Sequence, residues 1–405
     1  MFIHSNRIYM KDGCKSGYLE IEGNAIKQFL PEGSQAIAEK MIKADVDYGD
    51  NRIIPGIFDT HNHGGFGVRV AEGDTEDQIK LYLKGSAANG VTALFPTTTE
   101  LEAMRLLAKM ADETQDGAKI LGIHSEGPWG ARVGEKGINT GYPKVDLDLA
   151  QQMVDAAGGK LMLVDIAPEV DNAFDAIDFF LSKGITMAMY HTNANYEEAN
   201  RGIDRGITVA THLGNVMTGL HHRDVGVMGA AILRDEVYCE LICDYLHICQ
   251  QMVEIILRLK EHDKIMMISD SGSYAGCPTG KYRSLWGGYK ADRQSITITE
   301  EGYVLSETGR LSGSSKPVMF GVKNLIERSG MPLEDVWPLC SYNACKKYGF
   351  ADKKGSIEAG KDADFIVISN DFEVMYTYSE GRLVFDHNVD KDIFNHSFVA
   401  ENKLE

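Results

Sequence analysis

Eight short apolar runs recur through the middle of the chain, at residues 53–59, 91–96, 119–124, 161–166, 185–190, 207–212, 238–243 and 264–269. Each is apolar along most of its length instead of alternating, the pattern of a strand buried on both faces. The gaps between them have helical texture. Across residues 248–264, Met252, Ile255, Ile256 and Leu259 fall at i, i+3, i+4 and i+7, while Glu254, Arg258 and Glu261 fall elsewhere. That spacing predicts an amphipathic helix with the four apolar residues on one face. Asp74 and Asp171 stand where N-caps would precede two more helices. Eight strand–helix units in succession predict an α/β fold closed as a (β/α)8 TIM-type barrel. An open doubly wound sheet, the runner-up, would usually need fewer strands.

The two ends read differently. Residues 1–52 and the stretch 355–386 alternate short apolar runs with Gly, Asp and Asn, as strands and turns do. The expected division is a small β-sandwich domain built from residues 1–52 and 346–405, flanking a barrel over 53–345. No repeat, low-complexity segment or Pro-rich linker interrupts it.

Composition narrows the function. A hydrophobic fraction of 43% and a charged fraction of 25% are those of an ordinary globular protein. No apolar run reaches the length of a membrane span, and the N-terminus MFIHSNRIYMKDG is too polar for a secretory signal. The seven cysteines are scattered without a Cys-x-x-Cys pair, which points to reduced thiols and a cytoplasmic protein. A net charge of −18 with no Lys/Arg-rich run excludes nucleic acid as a natural partner. The same charge opposes any anionic substrate, so a phosphate site would need its own donors and positive charge.

Reactive residues gather just after the strands, at the end where barrel active sites form. The first strand runs into His61-Asn62-His63, the third into His124-Ser125-Glu126, the fifth into His191, the sixth into His212, the seventh into His247 and the eighth into Asp270. One histidine at a strand end is ordinary polar structure. His61 and His63 differ, because i and i+2 on an extended chain point to one face and can chelate one ion. Convergence of six strands on His, Glu or Asp is the stronger signal, and it predicts a divalent metal site. Imidazole-rich ligation favours Zn²⁺ or Fe²⁺ over Mg²⁺. With water activated by such an ion, Asp270 would take its proton and pass it to a leaving amine, and His247 would polarise or position a carbonyl.

These residues resemble the amidohydrolase superfamily, and within it the N-acetylglucosamine-6-phosphate deacetylases. The resemblance runs in order through PGIFDTHNHGG (55–65), HSEGPW (124–129), DIAPE (165–169), YHTNANYEEA (190–199), ATHLGNVM (210–217), CDYLHI (243–248), ISDS (268–271), RLSGSS (310–315) and GSIEAGKDADFIVI (355–368). It implies that Glu126, His191 and His212 hold a metal, that Asp270 is the catalytic acid/base, and that His247 contacts the substrate amide. It also implies that Asn215, the backbone at Val216, Arg223 and Leu311 bind substrate, with Arg223 taking the phosphate, and that the protein is a homodimer. Because His61 and His63 are intact, a second ion bridged by Glu126 stays open, so the expectation is one or two ions.

Two departures leave the sugar open between N-acetylglucosamine 6-phosphate, which is favoured, its galactosamine epimer and another acylated amino sugar. The family's Lys-Gly-x-His-Asn segment reads Lys136-Gly137-Ile138-Asn139-Thr140 here, without the histidine, and THLGNVMTGLHHRD departs from the usual THLxNAM. His221 and His222 are candidate replacements for lost contacts, and Trp129, Tyr282 and Trp286 for a sugar-lining wall. Ser312–Ser315 would either cover the acyl group with backbone donors or cap a helix, and residues 279–283 read as a loop. Rival readings are a cyclic-amide hydrolase, disfavoured because Lys160 precedes the fourth strand instead of ending it, a general N-acyl amidohydrolase, and a catalytically idle sugar-phosphate sensor.

Overall fold

The computed structural model describes residues 1–71, 73–133, 142–285 and 295–404. Eight parallel strands form a closed ring: Ile57–Asn62, Val91–Pro96, Ile123–Trp129, Leu161–Ile166, Thr186–Met189, Val209–Ala210, Tyr238–Leu241 and Ile265–Met267. Single bridges Thr97–His124 and Asn62–Ser271 join the second strand to the third and the end of the eighth to the first. All eight expected strands are present, with two corrections. The run 119–124 holds a two-residue strand, Lys119–Ile120, beside Val91–Pro96 before Ile123–Trp129 begins. The run 53–59 is two strands, because Arg52–Pro55 pairs with the terminal sheet and only Ile57–Asn62 enters the barrel. They break at Gly56, where an added Cβ would lie 2.2 Å from the Thr92 hydroxyl.

Alternation along each strand sorts the core. Ile57, Leu94, Val164, Met187 and Met267 pack outward against the helices, while Phe58, Phe95, Leu163, Ala188 and Met266 fill the barrel. Tyr348 closes the bottom, its ring 4.9 Å from that of Phe95. Two residues further along three strands the inward positions turn polar: Thr60 follows Phe58, Asp165 follows Leu163 and Glu240 follows Tyr238, all fully or nearly fully buried. An apolar floor thus carries a polar layer beneath the barrel mouth.

Several local expectations shift by a residue or more. The helix expected over 248–264 spans Gln250–Leu259 and buries Val253, Ile256 and Leu257, whereas Ile255 and Leu259 are exposed. The stripe was displaced because an apolar outer face offers two overlapping 3.6-residue patterns. Thr75 caps Glu76–Ala88 in a capping box, and Asp74 instead accepts from the Ala71 amide. Asn172, in the left-handed region, precedes Ala173–Ser182 in place of Asp171. Residues 280–283 form a strand, not a loop, because Tyr282 is buried with Ile296 and Phe398.

The chain ends meet in one eight-stranded sheet that combines Phe2–Met10, Gly13–Glu22 and Ala25–Pro31 with Phe365–Ile368, Val374–Ser379 and Arg382–Asp386. Its core joins Ile3, Ile8, Leu19 and Ile53 to Phe365, Val367 and Tyr378. The sheet continues to Pro55, so its strand order leads straight into the first barrel strand. Among the described residues no helix is long and apolar enough to cross a membrane.

Candidate active site

The ligand groups are placed by strand ends. His61 and His63 bring their Nε2 atoms within 3.2 Å of each other. Glu126, from the third strand, reaches between two sets of imidazoles. Its Oε2 lies 3.3 Å from His63 Nε2, while its Oε1 lies 3.3 Å from His191 Nε2 and 3.1 Å from His212 Nε2. Asp270 Oδ1 lies 3.5 Å from His63 Nε2 and 3.6 Å from His61 Nε2. Two groups able to hold a metal ion result, His61–His63–Asp270 and Glu126–His191–His212. The donors fit one. Atoms bound at about 2.1 Å around a tetrahedral ion sit roughly 3.4 Å apart, and the separations here run from 3.1 to 3.6 Å. His61 and His212 lie deep, at 0% and 2% side-chain exposure, whereas His63, Glu126, His191 and Asp270 are exposed by 12–16% and face the mouth.

Electrostatics agree with ligation. Burial disfavours an ionised Glu126, yet His191, His212 and His63 outweigh it and hold the carboxyl well below its ordinary range. Burial, together with His124, keeps His61 well below its ordinary value and therefore neutral, the form that binds metal. Burial opposes charge on His212 too, but Glu126 lifts it to about 9, so in the metal-free state this ring carries the positive charge that balances the carboxylate.

The backbone is bent to make this arrangement. His191, His212 and Asp270 have φ of 40°, 36° and 49°. For residues with a Cβ such conformations cost about 1–3 kcal/mol each and persist only where neighbours hold them. Here Asp270 N donates to His61 O at 2.9 Å and Ser314 N to Asp270 O at 2.7 Å, while Leu213 N donates to Glu240 O at 2.8 Å.

Partners fix the rings. The Tyr142 hydroxyl donates to Arg132 O at 3.2 Å and sits 2.5 Å from His191 Nδ1. It is placed to accept the Nδ1 proton, the tautomer in which His191 Nε2 would be the atom that ligates a metal. His247 Nδ1 donates to Asp244 Oδ2 at 2.8 Å, and its buried Nε2 has no protein hydrogen-bond partner. Asp244 also accepts from the Ser314 hydroxyl at 3.1 Å.

The remaining expected residues divide. Asn215 is buried, its amide donating to His212 O at 3.2 Å, and Val216 follows it in the left-handed region with its carbonyl accepting from Thr192 N. Both belong to the turn that carries His212. Leu311 is half-buried in the segment that reaches Asp270 through Ser314. Arg223 stands in solvent on the exposed stretch with His221 and His222 and donates to His222 Nε2 at 2.9 Å; no bond joins it to the six ligand residues among the described residues.

Trp129 and Tyr282 are corrected to core residues. Both are fully buried, the first against Phe180 and the second against Tyr274. The four serine-rich residues do not cap a helix, since Pro317 precedes Val318–Glu327; Ser314 instead ties Asp270 to Asp244. Lys136–Thr140 and Trp286 lie outside the described residues. Tyr142, Asp244 and Ser314 were missed as site residues; only Asp244 had a local cue, three residues before His247.

A parallel barrel whose strand ends bring four histidines and two carboxylates together is an arrangement able to hold a divalent ion at a hydrolase's active site. The amidohydrolase family profile matches residues 52–384. An N-acetylglucosamine-6-phosphate deacetylase of Bacillus subtilis is 31% identical over 382 residues, covering 92% of this chain and 93% of its own. An N-acetylgalactosamine-6-phosphate deacetylase of Escherichia coli is 27% identical, covering 82% of this chain and 87% of its own. The structure of a Mycobacterium smegmatis N-acetyl-D-glucosamine-6-phosphate deacetylase, solved in complex with that sugar phosphate, superposes with a TM-score of 0.83 at 25% identity, covering 95% of this chain and 99% of its own. This chain belongs to the amidohydrolase family, and within it to the group of the N-acetylglucosamine-6-phosphate deacetylases.

Proposed function

We propose that this protein removes the acetyl group from N-acetylglucosamine 6-phosphate, releasing acetate and the amino-sugar phosphate. The observation that carries the chemistry is Glu126, whose two carboxylate oxygens face separate imidazole sets, with Asp270 3.5 Å from His63 on the open side. The substrate reading is supported by relatives that carry the name of this sugar-phosphate deacetylase over nearly the whole chain.

Each residue has a defined task. Glu126, His191 and His212 would hold one divalent ion, Zn²⁺ or Fe²⁺, and His61 and His63, with Asp270 beside them, would hold a second where two ions bind. A divalent ion in such a site would bring the pKa of its water down to about 7 and withdraw charge from a carbonyl oxygen. Asp270 accepts the proton of the attacking water and delivers it to the departing sugar nitrogen, so one carboxylate serves as base and then acid. Burial opposes charge on His247, but the Asp244 contact raises its pKa, and as an imidazolium it would direct its Nε2–H to the acetamide oxygen and stabilise the charge that develops there. Asn215 and the Val216 backbone take the sugar phosphate, with Leu311 against the sugar. Arg223 supplies the positive charge that a net −18 requires, offered across a homodimer since its guanidinium points into solvent in one chain. The compartment that suits this chemistry and these thiols is the cytoplasm.

The galactosamine epimer is a second reading, favoured by the missing histidine at Lys136–Thr140 and by the E. coli relative. Turnover of the two phosphorylated epimers side by side tests this. The gluco epimer is expected to be preferred at least tenfold in kcat/KM, and the opposite preference overturns the substrate assignment.

A further inference from the structure

Beneath the ligands lies a pair of groups that the mechanism above leaves unused. Glu240 sits inside the barrel on the seventh strand, one pleat above the apolar floor, with no exposure to solvent. Thr60 Oγ1 donates to its Oε1 at 2.7 Å and pins the carboxylate. Among the described residues the other oxygen, Oε2, is buried without a hydrogen bond and lies 3.5 Å from His61 Nδ1, which is likewise buried without one. The neighbouring buried carboxylate, Asp165, is directed elsewhere. It lies 3.0 Å from His124 Nε2, and His124 turns its Nδ1 to Thr60 O at 3.1 Å. Glu240 is therefore the acid that faces His61.

A carboxylate this deep is costly unless a positive partner or a strong donor satisfies it. A neutral His61 can meet that need in one tautomer only: proton on Nδ1 toward Glu240, bare lone pair on Nε2. Nε2 is the atom that lies 3.2 Å from His63 Nε2 and 3.6 Å from Asp270. When Nε2 binds a cation, the Nδ1–H becomes a stronger donor, and the Glu240 contact tightens at the moment its charge is most useful.

We infer that Glu240 is a positioning residue of the metal centre: it fixes the tautomer and orientation of His61 and raises the affinity of the His61–His63–Asp270 group for a divalent ion, with Thr60 holding the carboxylate in place. This rests on the metal-dependent function proposed above, but it concerns metal affinity and not the identity of the substrate.

The test is Zn²⁺ binding to the purified full-length protein, measured without substrate by competition with a chromophoric chelator. Wild type, Glu240→Gln and Thr60→Val are compared, with far-UV circular dichroism as the check on folding. Glu240→Gln keeps the shape and an acceptor oxygen but removes the charge. It is expected to weaken Zn²⁺ binding at the His61–His63–Asp270 group by about 10- to 100-fold, the usual range for loss of a partner that orients a ligand. kcat is expected to fall while KM stays near the wild-type value. Thr60→Val, a near-isosteric change, is expected to weaken the same site several-fold and serves as the test if the Gln variant does not fold. Affinities within twofold of wild type in the folded variants would overturn the role of Glu240. A wild-type protein that binds no Zn²⁺ would instead overturn the metal-centre reading itself, so the two failures are distinguishable.

Discussion

The backbone amide of Ser314 donates to the carbonyl of Asp270 at 2.7 Å, and the Ser314 hydroxyl donates to Asp244 at 3.1 Å. One serine thus holds the strained turn bearing Asp270, the proposed acid/base, and steadies the carboxylate bonded to His247. In Ser314→Ala the backbone contact survives and the hydroxyl contact is lost. A single hydrogen bond is worth about 1 kcal/mol, so kcat is expected to fall roughly fivefold, with Zn²⁺ content unchanged. Unaltered kcat would show that Asp244 needs no such support.

Asp270→Asn removes the proton carrier while leaving the Glu126–His191–His212 group intact. General acid–base catalysis contributes about 10²- to 10⁴-fold. A kcat loss of about that size is expected, with metal still bound by elemental analysis. Activity surviving the change would remove Asp270 from the mechanism.

Arg223→Ala is expected to raise KM for the phosphorylated substrate by about 10- to 100-fold, the scale of a charge-assisted bidentate contact. Hydrolysis of the unphosphorylated sugar should not change. Equal effects on both substrates would assign Arg223 to structure instead of phosphate recognition.

Lys347 predicts a pH effect far from the site. Burial and the nearby Lys264 push its ammonium down to about 8, and its Nζ donates to Thr208 at 2.6 Å. The folded chain therefore holds this proton less tightly than the unfolded chain, whose lysine keeps the ordinary value of 10.5. Between those values the unfolded state binds more protons, so stability rises with pH; below them the folded state bears the cost of a buried charge. Relative to Lys347→Met, the wild type is expected to gain on the order of 1 kcal/mol from about pH 7 to about pH 10. Urea unfolding of the two proteins at both pH values measures it, and parallel profiles would mean that Lys347 is solvated.

The barrel was legible because eight doubly buried strands leave continuous apolar runs, and the clustering of the candidate metal-binding groups because they follow those runs at one end. Local detail was less so. A helix with apolar residues on its outer face, such as Ile255 and Leu259, gives two equally good stripes. Tyr142 and Ser314 reach the site through loops, and no spacing rule ties a loop residue to a distant ligand. Trp129, a candidate for the sugar-lining wall, is fully buried in the core against Phe180, because an aromatic beside a barrel mouth packs as readily as it lines a site. Glu240 did leave a trace: it is the one charged residue in the run YCELIC, a carboxylate that burial tolerates only with a partner.

The most direct measurement is acetate release from N-acetylglucosamine 6-phosphate by the Zn²⁺-loaded protein, run beside unphosphorylated N-acetylglucosamine and beside Glu126→Gln. The expected result is turnover of the phosphorylated sugar at no less than about 1 s⁻¹, within the common enzymatic range. The unphosphorylated sugar should be hydrolysed at least a hundredfold less efficiently, and Glu126→Gln should lose both bound metal and activity. Equal hydrolysis of both sugars, or full activity in Glu126→Gln, would contradict a sugar-phosphate deacetylase built on a Glu126-bridged metal centre.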